Sequence, residues 1–433
     1  MLDKELAIPS TEAQARAIGP TPASPDEYRQ IGIVGVGAIG SGIAQLVSGL
    51  GARTVIVAPR PGGPERAANM MQACYAGDVQ RGRISPEQAA AGLARIHVTE
   101  RYADLSGSSF VIESVLEDPQ LKLEVLRQVE TQVNADCIFG TNTSSIPIAH
   151  IAAGAQRPAN VIGTHYFWPA HRFKLVEIAH AVTTSQETID RTLAFARWQG
   201  KTPLLVRDRP GFFTTRILLP YVNEAVALVV EGASIEMVDQ AMVNFGWAMG
   251  PFRLMDAAGI ETLARVYDSV ATSLGGRIKQ MERLWPVIRA GHVGYRGGSR
   301  EGAKGFYLYP EGRQIDHRVY SLLGQRRDQP PPAEEVALRP VWQMVNEVGH
   351  CLAEGVIASQ PEADVGAVLG LGWPRATGGP IAYARQIGPP TIVAGLEAWA
   401  ERYGPRFTPS SALRALQQHM GSANPEAQAR NLP

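Results

Sequence analysis

The chain has 433 residues, which suggests two to four domains and is enough to bury a large core. Apolar residues make up 45% and charged residues 19%, as in globular proteins, and 41 basic residues balance 41 acidic ones. With no net charge and no apolar run of about 20 residues, we expect neither a nucleic-acid partner nor a membrane span.

The start of the chain and its cysteines favour a cytoplasmic location. Residues 1–29 begin with acidic residues where a signal peptide would be basic, and their prolines predict an extended leader or linker. Cys74, Cys137 and Cys351 are far apart and form no metal-binding or redox pair. We therefore predict a reducing compartment and no metal site.

A strand, a glycine-rich turn and a helix open the first domain. Residues 31–36 (IGIVGV) are a short apolar run typical of a buried parallel strand. The turn that follows has the GxGxxG pattern, and its candidate cofactor contacts are Gly35, Gly37, Ala38, Ile39 and Gly40. Glycines let a pyrophosphate approach the backbone, and the start of the helix offers unpaired amide donors. The pattern predicts a dinucleotide-binding unit.

The second strand, residues 54–57 (TVIV), bears on the choice of cofactor. An NAD site usually has an acidic residue at the end of this strand, where it binds the ribose 2′-hydroxyl. Here Ala58 stands in that place, and Arg60 lies two residues further on. An arginine nearby can accommodate a 2′-phosphate, so we expect NADP in preference to NAD, or relaxed selectivity. An Arg60 that simply points to solvent is the alternative.

Further apolar runs continue the alternation of strands and helices to about residue 209. They are residues 110–115, 137–141, 161–165, 175–178 and 203–206. This alternation predicts an α/β domain over residues 30–209, built as a doubly wound, Rossmann-type parallel sheet.

Polar side chains near strand ends in residues 141–178 are the candidate catalytic group. Asn142 and Ser144 lie in a polar turn after one strand. His165 ends the run VIGTH, and Glu177 lies inside the next run, LVEI. If these two strands are neighbours, the carboxylate can hold one imidazole nitrogen and leave the other for proton transfer. A core histidine that meets a carboxylate by chance is the alternative.

After residue 209 the pattern becomes helical and contains an internal repeat. Asn-Glu and Glu-Gly pairs recur with the same spacing, at 223–224 and 231–232 and again at 346–347 and 354–355. A Pro-rich, charged linker within residues 324–335 separates the copies. We therefore predict two all-α domains, residues 210–320 and 336–433, of which the second repeats the first.

Taken together, these motifs resemble the 3-hydroxyacyl-CoA dehydrogenase family over about residues 31–400. The segments that carry the resemblance are GVGAIGSGIAQ (35–45), IESVLEDPQLK (112–122), TNTSSIP (141–147), GTHYF (163–167), LVEI (175–178), RDRPGFFTTR (207–216), FGWAMGPF (245–252), GAKGFY (302–307) and LGWPRATGGP (371–380). The paired helical units resemble those of multifunctional fatty-acid oxidation proteins, without the hydratase half.

The resemblance implies an oxidoreductase that interconverts a (3S)-3-hydroxyacyl-CoA and the 3-ketoacyl-CoA with NAD or NADP. It implies His165 as general base, Glu177 as the acid that orients it, and Ser144 as a hydroxyl that contacts the substrate. Three further positions are implied as cofactor contacts: Glu117, Lys122 and Asn142. Relatives that pair through the helical domain imply a homodimer, whereas an internal duplicate could satisfy that surface in a monomer.

Three positions depart from the family pattern. Ala58 replaces the acidic residue of the second strand, and Trp168 replaces an asparagine beside the site. Thr215, a further candidate catalytic residue, stands where an asparagine is expected and offers one hydroxyl in place of an amide. Two alternatives therefore stay open: a dehydrogenase of a non-CoA 3-hydroxy acid, and a dinucleotide-binding protein with impaired catalysis.

Overall fold

The computed structural model describes residues 28–295, 301–309, 314–326 and 330–422. All but the last two residues of the predicted leader lie outside these ranges, as does the middle of the predicted linker, residues 327–329. The chain forms two compact units, Met1–Arg209 and Pro210–Pro433.

The first unit is built on one eight-stranded sheet, so the predicted α/β, Rossmann-type fold is confirmed. Its strands are β1 (Gln30–Val34), β2 (Arg53–Val57), β3 (Ile96–Thr99), β4 (Phe110–Glu113), β5 (Ile138–Thr141), β6 (Val161–Tyr166), β7 (Leu175–His180) and β8 (Thr202–Arg207). Their order across the sheet is β3-β2-β1-β4-β5-β6-β7-β8. The helices of this unit are α1 (Ala38–Gly49), α2 (Gly63–Gln80), α3 (Pro86–Ala94), α4 (Pro119–Glu130), α5 (Ile148–Ala152) and α6 (Gln186–Trp198).

One pair of strands departs from the predicted parallel sheet. β6 and β7 are antiparallel, whereas the other neighbouring strands are parallel. Residues 167–174 join β6 to β7, and a loop of that length makes a hairpin because a parallel connection needs a crossover of a dozen or more residues. The hairpin brings the starts of β7 and β8 to the edge of the sheet at which β1 and β6 end.

The core of the first unit explains why its strands are apolar runs. Ile31, Ile33, Ile56 and Ile112 have no exposed surface. Strands that are covered on both faces need apolar side chains at successive positions, unlike strands with one solvated face. The central strands of the sheet are therefore buried on both faces.

The second unit is helical, as predicted. Its helices are α7 (Thr214–Val230), α8 (Ile235–Phe245), α9 (Pro251–Ala258), α10 (Ile260–Leu274), α11 (Leu284–Arg289), α12 (Arg318–Leu323), α13 (Ala333–Ala353), α14 (Gln360–Gly366), α15 (Pro380–Ile387), α16 (Pro389–Tyr403) and α17 (Ser411–Ser422). None of the helices in the described ranges is long and apolar enough to cross a membrane.

The two halves of the second unit repeat the same helix-capping contact. Asp239 accepts hydrogen bonds from the amides of the second and third residues of α9, at 2.8 and 3.3 Å. Asp364 accepts from the amides of the second and third residues of α15, at 2.7 and 3.1 Å. Each carboxylate thus satisfies two amide donors that the helix start leaves unpaired.

Ion pairs join the halves of the second unit in a reciprocal way. The repeated pairs supply four glutamates, which we call the repeat glutamates: Glu224, Glu231, Glu347 and Glu354. Arg216 of α7 binds the two of the second half, at 2.7 and 2.6 Å. Arg339 of α13 binds the two of the first half, at 2.7 and 2.6 Å. Two further arginines also contact repeat glutamates of the opposite half: Arg277 contacts Glu347 at 3.1 Å, and Arg406 contacts Glu224 at 2.9 Å and Glu231 at 3.8 Å.

Candidate active site

The glycine-rich turn between β1 and α1 requires glycine at two of its positions. Gly35 has φ of +94°, a conformation that side chains disfavour. A Cβ on Gly40 would lie 2.3 Å from the carbonyl oxygen of Gly35. A Cβ on Gly37 would instead meet no atom within 4 Å, so the backbone at Gly37 is open on that side.

The start of α1 fits an anionic group. Gly37 is its N-cap and provides no side-chain hydrogen bond, and the first turn contains no acidic residue. The amides of the first helical residues, including Ala38 and Ile39, therefore lack an intrahelical acceptor. An open backbone beside such donors is the arrangement that binds a pyrophosphate.

Arg60 lies beyond the second strand, in the region that binds the adenosine ribose of a dinucleotide cofactor. It is exposed and follows the last residue of β2, Val57, by three positions. Its carbonyl oxygen accepts a hydrogen bond from the amide of Gly63 at 2.7 Å, at the start of α2. The backbone of Arg60 therefore belongs to a defined turn, and its side chain is exposed.

A buried ion pair that sequence reasoning missed lies beneath the polar turn. The Nζ atom of Lys122 lies 2.9 and 3.0 Å from the two carboxylate oxygens of Glu113, and both side chains have no exposed surface. The hydroxyl of Thr141 donates to the same carboxylate at 2.7 Å. Glu113 ends β4, and that position was the available sequence signal. The Nζ atom of Lys122 also lies 3.4 Å from Glu117, so this one ammonium group orients two carboxylates.

Glu117 organises the polar turn that follows β5. Its Oε1 atom accepts hydrogen bonds from the hydroxyl of Thr143 at 2.6 Å, the amide of Ser144 at 2.9 Å and the amide of Ser145 at 3.2 Å. Burial opposes the charge, but Lys122 and these donors lower the pKa of the Glu117 carboxyl. Glu117 is thus held as a carboxylate, and the Ser144 hydroxyl lies 3.4 Å from it.

Asn142 ties the polar turn to the neighbouring strand. Its Oδ1 atom accepts a hydrogen bond from the amide of Tyr166 at 2.8 Å. Tyr166 is the residue after His165, so this bond joins the turn to the end of β6. The structure therefore brings Asn142, Ser144 and Glu117 together at the edge where β5 and β6 end.

His165 and Glu177 face each other across the β6–β7 hairpin. They are direct partners in the antiparallel register. The Nδ1 atom of His165 lies 2.7 Å from Oε2 of Glu177. The glutamate side chain is fully buried, and the histidine side chain is 12% exposed. A buried carboxylate on Nδ1 fixes the ring orientation and makes Nε2 the nitrogen that can exchange a proton with a ligand.

Aromatic side chains of the 167–174 loop pack beside the histidine. The Phe167 ring lies 4.7 Å from the His165 ring, and Phe173 stacks on Phe167 at 5.9 Å. Trp168, by contrast, is 49% exposed. An exposed tryptophan three residues after the histidine offers an aromatic face to an organic ligand.

Thr215 belongs to the second unit, whereas the other candidate residues belong to the first. It is the second residue of α7 and is partly exposed. Phe212, just before this helix, has φ of +47°, which is uncommon for a residue with a side chain. Residues held in such a conformation cluster at functional sites.

Side chains that could hold a metal ion do not gather in the described part of the chain, where no group of three His, Cys, Asp or Glu residues occurs. Burial raises the pKa of the Cys137 thiol to about 12. The polar side chains of the site are acid–base groups at the same edge of the sheet as the glycine-rich turn.

Two family models match the chain. The model described as 3-hydroxyacyl-CoA dehydrogenase, NAD binding domain, matches residues 30–209, and the model of the C-terminal domain matches residues 211–309. Among curated proteins, fatty acid oxidation complex subunit alpha of Shewanella amazonensis is 37% identical over 412 residues, which are 94% of this chain and 58% of the relative. The chain thus spans less than two thirds of that relative's length.

Solved structures similar to this chain include 3-hydroxybutyryl-CoA dehydrogenases. (S)-3-hydroxybutyryl-CoA dehydrogenase PaaH1 of Ralstonia eutropha is 31% identical, with 65% of this chain and 99% of that chain covered and a TM-score of 0.61. 3-Hydroxybutyryl-CoA dehydrogenase of Escherichia coli K12 is 23% identical and supports the fold alone, with 92% and 100% of the two chains covered and a TM-score of 0.79.

Proposed function

The chain belongs to the 3-hydroxyacyl-CoA dehydrogenase family, and from that premise we propose that it interconverts a (3S)-3-hydroxyacyl-CoA and the corresponding 3-ketoacyl-CoA. Family membership supports a dehydrogenase role, an acyl-CoA-type substrate and a nicotinamide dinucleotide cofactor. The observation that carries the assignment of residues is the 2.7 Å contact between His165 and the buried Glu177.

In the proposed mechanism, His165 moves the proton of the substrate hydroxyl. Its Nε2 atom accepts that proton during oxidation and returns it during reduction. Glu177 holds the proton on Nδ1 and stabilises the imidazolium that forms, because its carboxylate is buried directly beside the ring. The nicotinamide ring, when bound, supplies the hydride chemistry.

The other candidate residues bind and orient the reactants in this proposal. The amides at the start of α1 hold the pyrophosphate, and the open backbone at Gly37 lets it approach. Asn142 and Glu117 would contact the cofactor, and Ser144 would contact the substrate. Lys122 is fully buried, so it supports the cofactor site through the carboxylates that it binds.

We further propose that the cofactor is NADP in preference to NAD, because Arg60 is exposed beyond β2 and Ala58 replaces the usual acid. Replacement of Arg60 by alanine is expected to weaken NADPH binding by about tenfold or more, the value of a charged contact to a phosphate, and to leave NADH binding unchanged. Dissociation constants from fluorescence titration measure both. A wild-type protein that binds NADH more tightly than NADPH would contradict the proposal.

The proposed reaction is tested by following the absorbance of NADH or NADPH with acetoacetyl-CoA as substrate. We expect oxidation of the cofactor by the wild-type protein and its loss in His165→Ala. A matched control is His97→Ala, since His97 is an exposed histidine whose Nε2 lies 3.3 Å from Asp104. Turnover only of free 3-keto acids would favour the non-CoA alternative. Cofactor binding without turnover of either substrate class would favour a binding protein.

A further inference from the structure

We propose that Lys201 is a positioning residue for His165, which it holds through the loop of residues 167–174. The proposal rests on the proton-transfer role proposed for His165. Lys201 is the residue directly before β8, and the hairpin places the start of that strand beside the loop that follows His165.

The Lys201 side chain is buried against the loop and is only 7% exposed. Its Nζ atom donates hydrogen bonds to the carbonyl oxygens of Ala170 at 2.6 Å and Phe173 at 2.7 Å. The same atom lies 5.7 Å from the centre of the Tyr166 ring. One ammonium group thus fixes two points of the loop and contacts the residue next to His165.

Two routes lead from Lys201 to the imidazole. Phe173, whose carbonyl Lys201 binds, stacks on Phe167, and the Phe167 ring packs on the His165 ring at 4.7 Å. The second route passes through Tyr166, the residue after His165, whose ring centre lies 5.7 Å from the Lys201 Nζ atom. The hydroxyl of Tyr166 donates a hydrogen bond to Gln199 at 3.0 Å. The loop therefore sets the tilt of the His165 ring, and with it the geometry of the hydrogen bond between His165 and Glu177.

The loop also touches the helix that begins at the glycine-rich turn. A Cβ on Gly42 of α1 would lie 3.1 Å from the backbone nitrogen of Ala170, so the helix and the loop are in direct contact. Ala170 thus lies between α1 and the Lys201 ammonium. Lys201 consequently fixes the loop relative to the proposed cofactor site as well as to His165.

An apolar side chain would fill the same space without the cost of a buried charge. Burial, and to a smaller extent the charge of Lys174, lower the pKa of the Lys201 ammonium to about 8. Such a charge is tolerated when it is hydrogen-bonded. The two carbonyl groups that accept hydrogen bonds from Lys201 are both in the 167–174 loop, so the buried ammonium stabilises that loop.

Lys201→Met tests the proposal, with Lys174→Met as a matched control because Lys174 is an exposed lysine of the same loop. We expect kcat of Lys201→Met to fall by about tenfold to a hundredfold, the usual effect of a small misplacement of a reacting group. KM should change by less than about threefold, and the acidic limb of the kcat/KM pH profile should move by about half a pH unit or more. Lys201→Arg should restore part of kcat, and Lys174→Met should match the wild type.

A folded Lys201→Met protein with wild-type kcat and pH profile would overturn the proposal. If that variant does not fold, Phe167→Leu interrupts the same route, and a wild-type pH profile in it would also overturn the proposal. NMR titration of the His165 imidazole in the protein without substrate separates this proposal from the proposed reaction. Should the wild type lack turnover, the reaction is contradicted, and a titration altered by Lys201→Met still supports the positioning role, whereas an unaltered one overturns it.

Discussion

Replacement of Glu177 by glutamine keeps the size of the side chain and removes its charge. Because the carboxylate is buried 2.7 Å from Nδ1 of His165, the imidazolium of the proposed mechanism would then form beside a neutral group. We expect kcat to fall by a factor on the order of 10³. General acid–base catalysis typically contributes about 10²–10⁴, and loss of a carboxylate that orients a catalytic histidine can cost about 10⁴. Steady-state kinetics measure it.

Glu187→Gln is the matched control for that prediction. Glu187 lies on α6 of the same unit, and its side chain is 79% exposed, so its variant should keep the wild-type kcat. A Glu177→Gln protein within about twofold of the wild-type kcat would contradict the proposed role of the pair.

Thr215→Asn restores the residue that the family resemblance implies. An asparagine amide supplies two donors where threonine has one hydroxyl. We expect kcat to rise by about tenfold or more if charge develops near this residue, since one lost donor costs about 10²–10³ in other sites. Thr215→Ser, which keeps only the hydroxyl, should stay near the wild-type rate. Equal kcat values for the Asn, Ser and wild-type proteins would show that Thr215 is not catalytic.

Some of the site could be predicted from single residues, and some could not. His165 and Glu177 lie at neighbouring apolar runs, and strand geometry allows them to meet. Glu113 and Lys122 were not expected as a buried pair, because charged side chains are seldom fully buried and sequence does not report burial. The role of Lys201 was hidden for the same reason.

At the scale of elements, strong apolar runs predicted the strands and weak ones did not. β3 was missed because it is a short edge strand, IHVT, in which only Thr99 is buried. The direction of β7 was also missed, since apolar runs look the same in parallel and antiparallel strands. Loop length was the usable signal for the hairpin of β6 and β7.

The capping aspartates of α9 and α15 should give the second unit an unusual pH dependence. Burial raises the pKa of Asp239 and of Asp364 to about 6, above the ordinary value of 3.8. The folded state therefore binds protons more tightly than the unfolded state, so the stability from these groups is full below about pH 4 and is lost as the pH rises through 6. We expect the free energy of unfolding to fall by about 1–3 kcal/mol per aspartate over that range.

Urea unfolding between pH 4 and pH 7 measures this effect. Asp239→Asn and Asp364→Asn should each make the stability less dependent on pH, whereas Asp268→Asn, at an exposed position of α10, should not. Variants at positions 239 and 364 that keep the full wild-type slope would refute the assignment.

At the scale of the whole molecule, the reciprocal ion pairs support the proposal that residues 336–433 repeat residues 210–320. Each arginine binds the repeat glutamates of the other half, as it would across a symmetric dimer interface. We therefore propose that the second copy stands in for a partner subunit and that the protein is a monomer. Light scattering after gel filtration measures the mass. The repeat was visible in the sequence, but which half each arginine would bind was not, because ion pairs between distant residues leave no local pattern.

Arg339→Met should strongly destabilise the second unit. Arg339 is fully buried, and its loss leaves the buried carboxylate of Glu224 without its closest cation. Breaking a buried pair by removing one partner costs about 3–5 kcal/mol. Arg402→Met is the matched control, because Arg402 is 59% exposed and its ion pair with Glu335 should contribute about 1 kcal/mol or less. Calorimetric unfolding with equal losses in the two variants would contradict the prediction.

The reciprocal pairing has a consequence for the order of events at the ribosome. Glu224 and Arg339 are separated by 115 residues. At about 5–20 residues per second, Glu224 is translated roughly 6 to 23 s before Arg339. During that delay the carboxylate of Glu224 lacks its Arg339 partner, so we expect the helical part to be completed only after the second half has been translated.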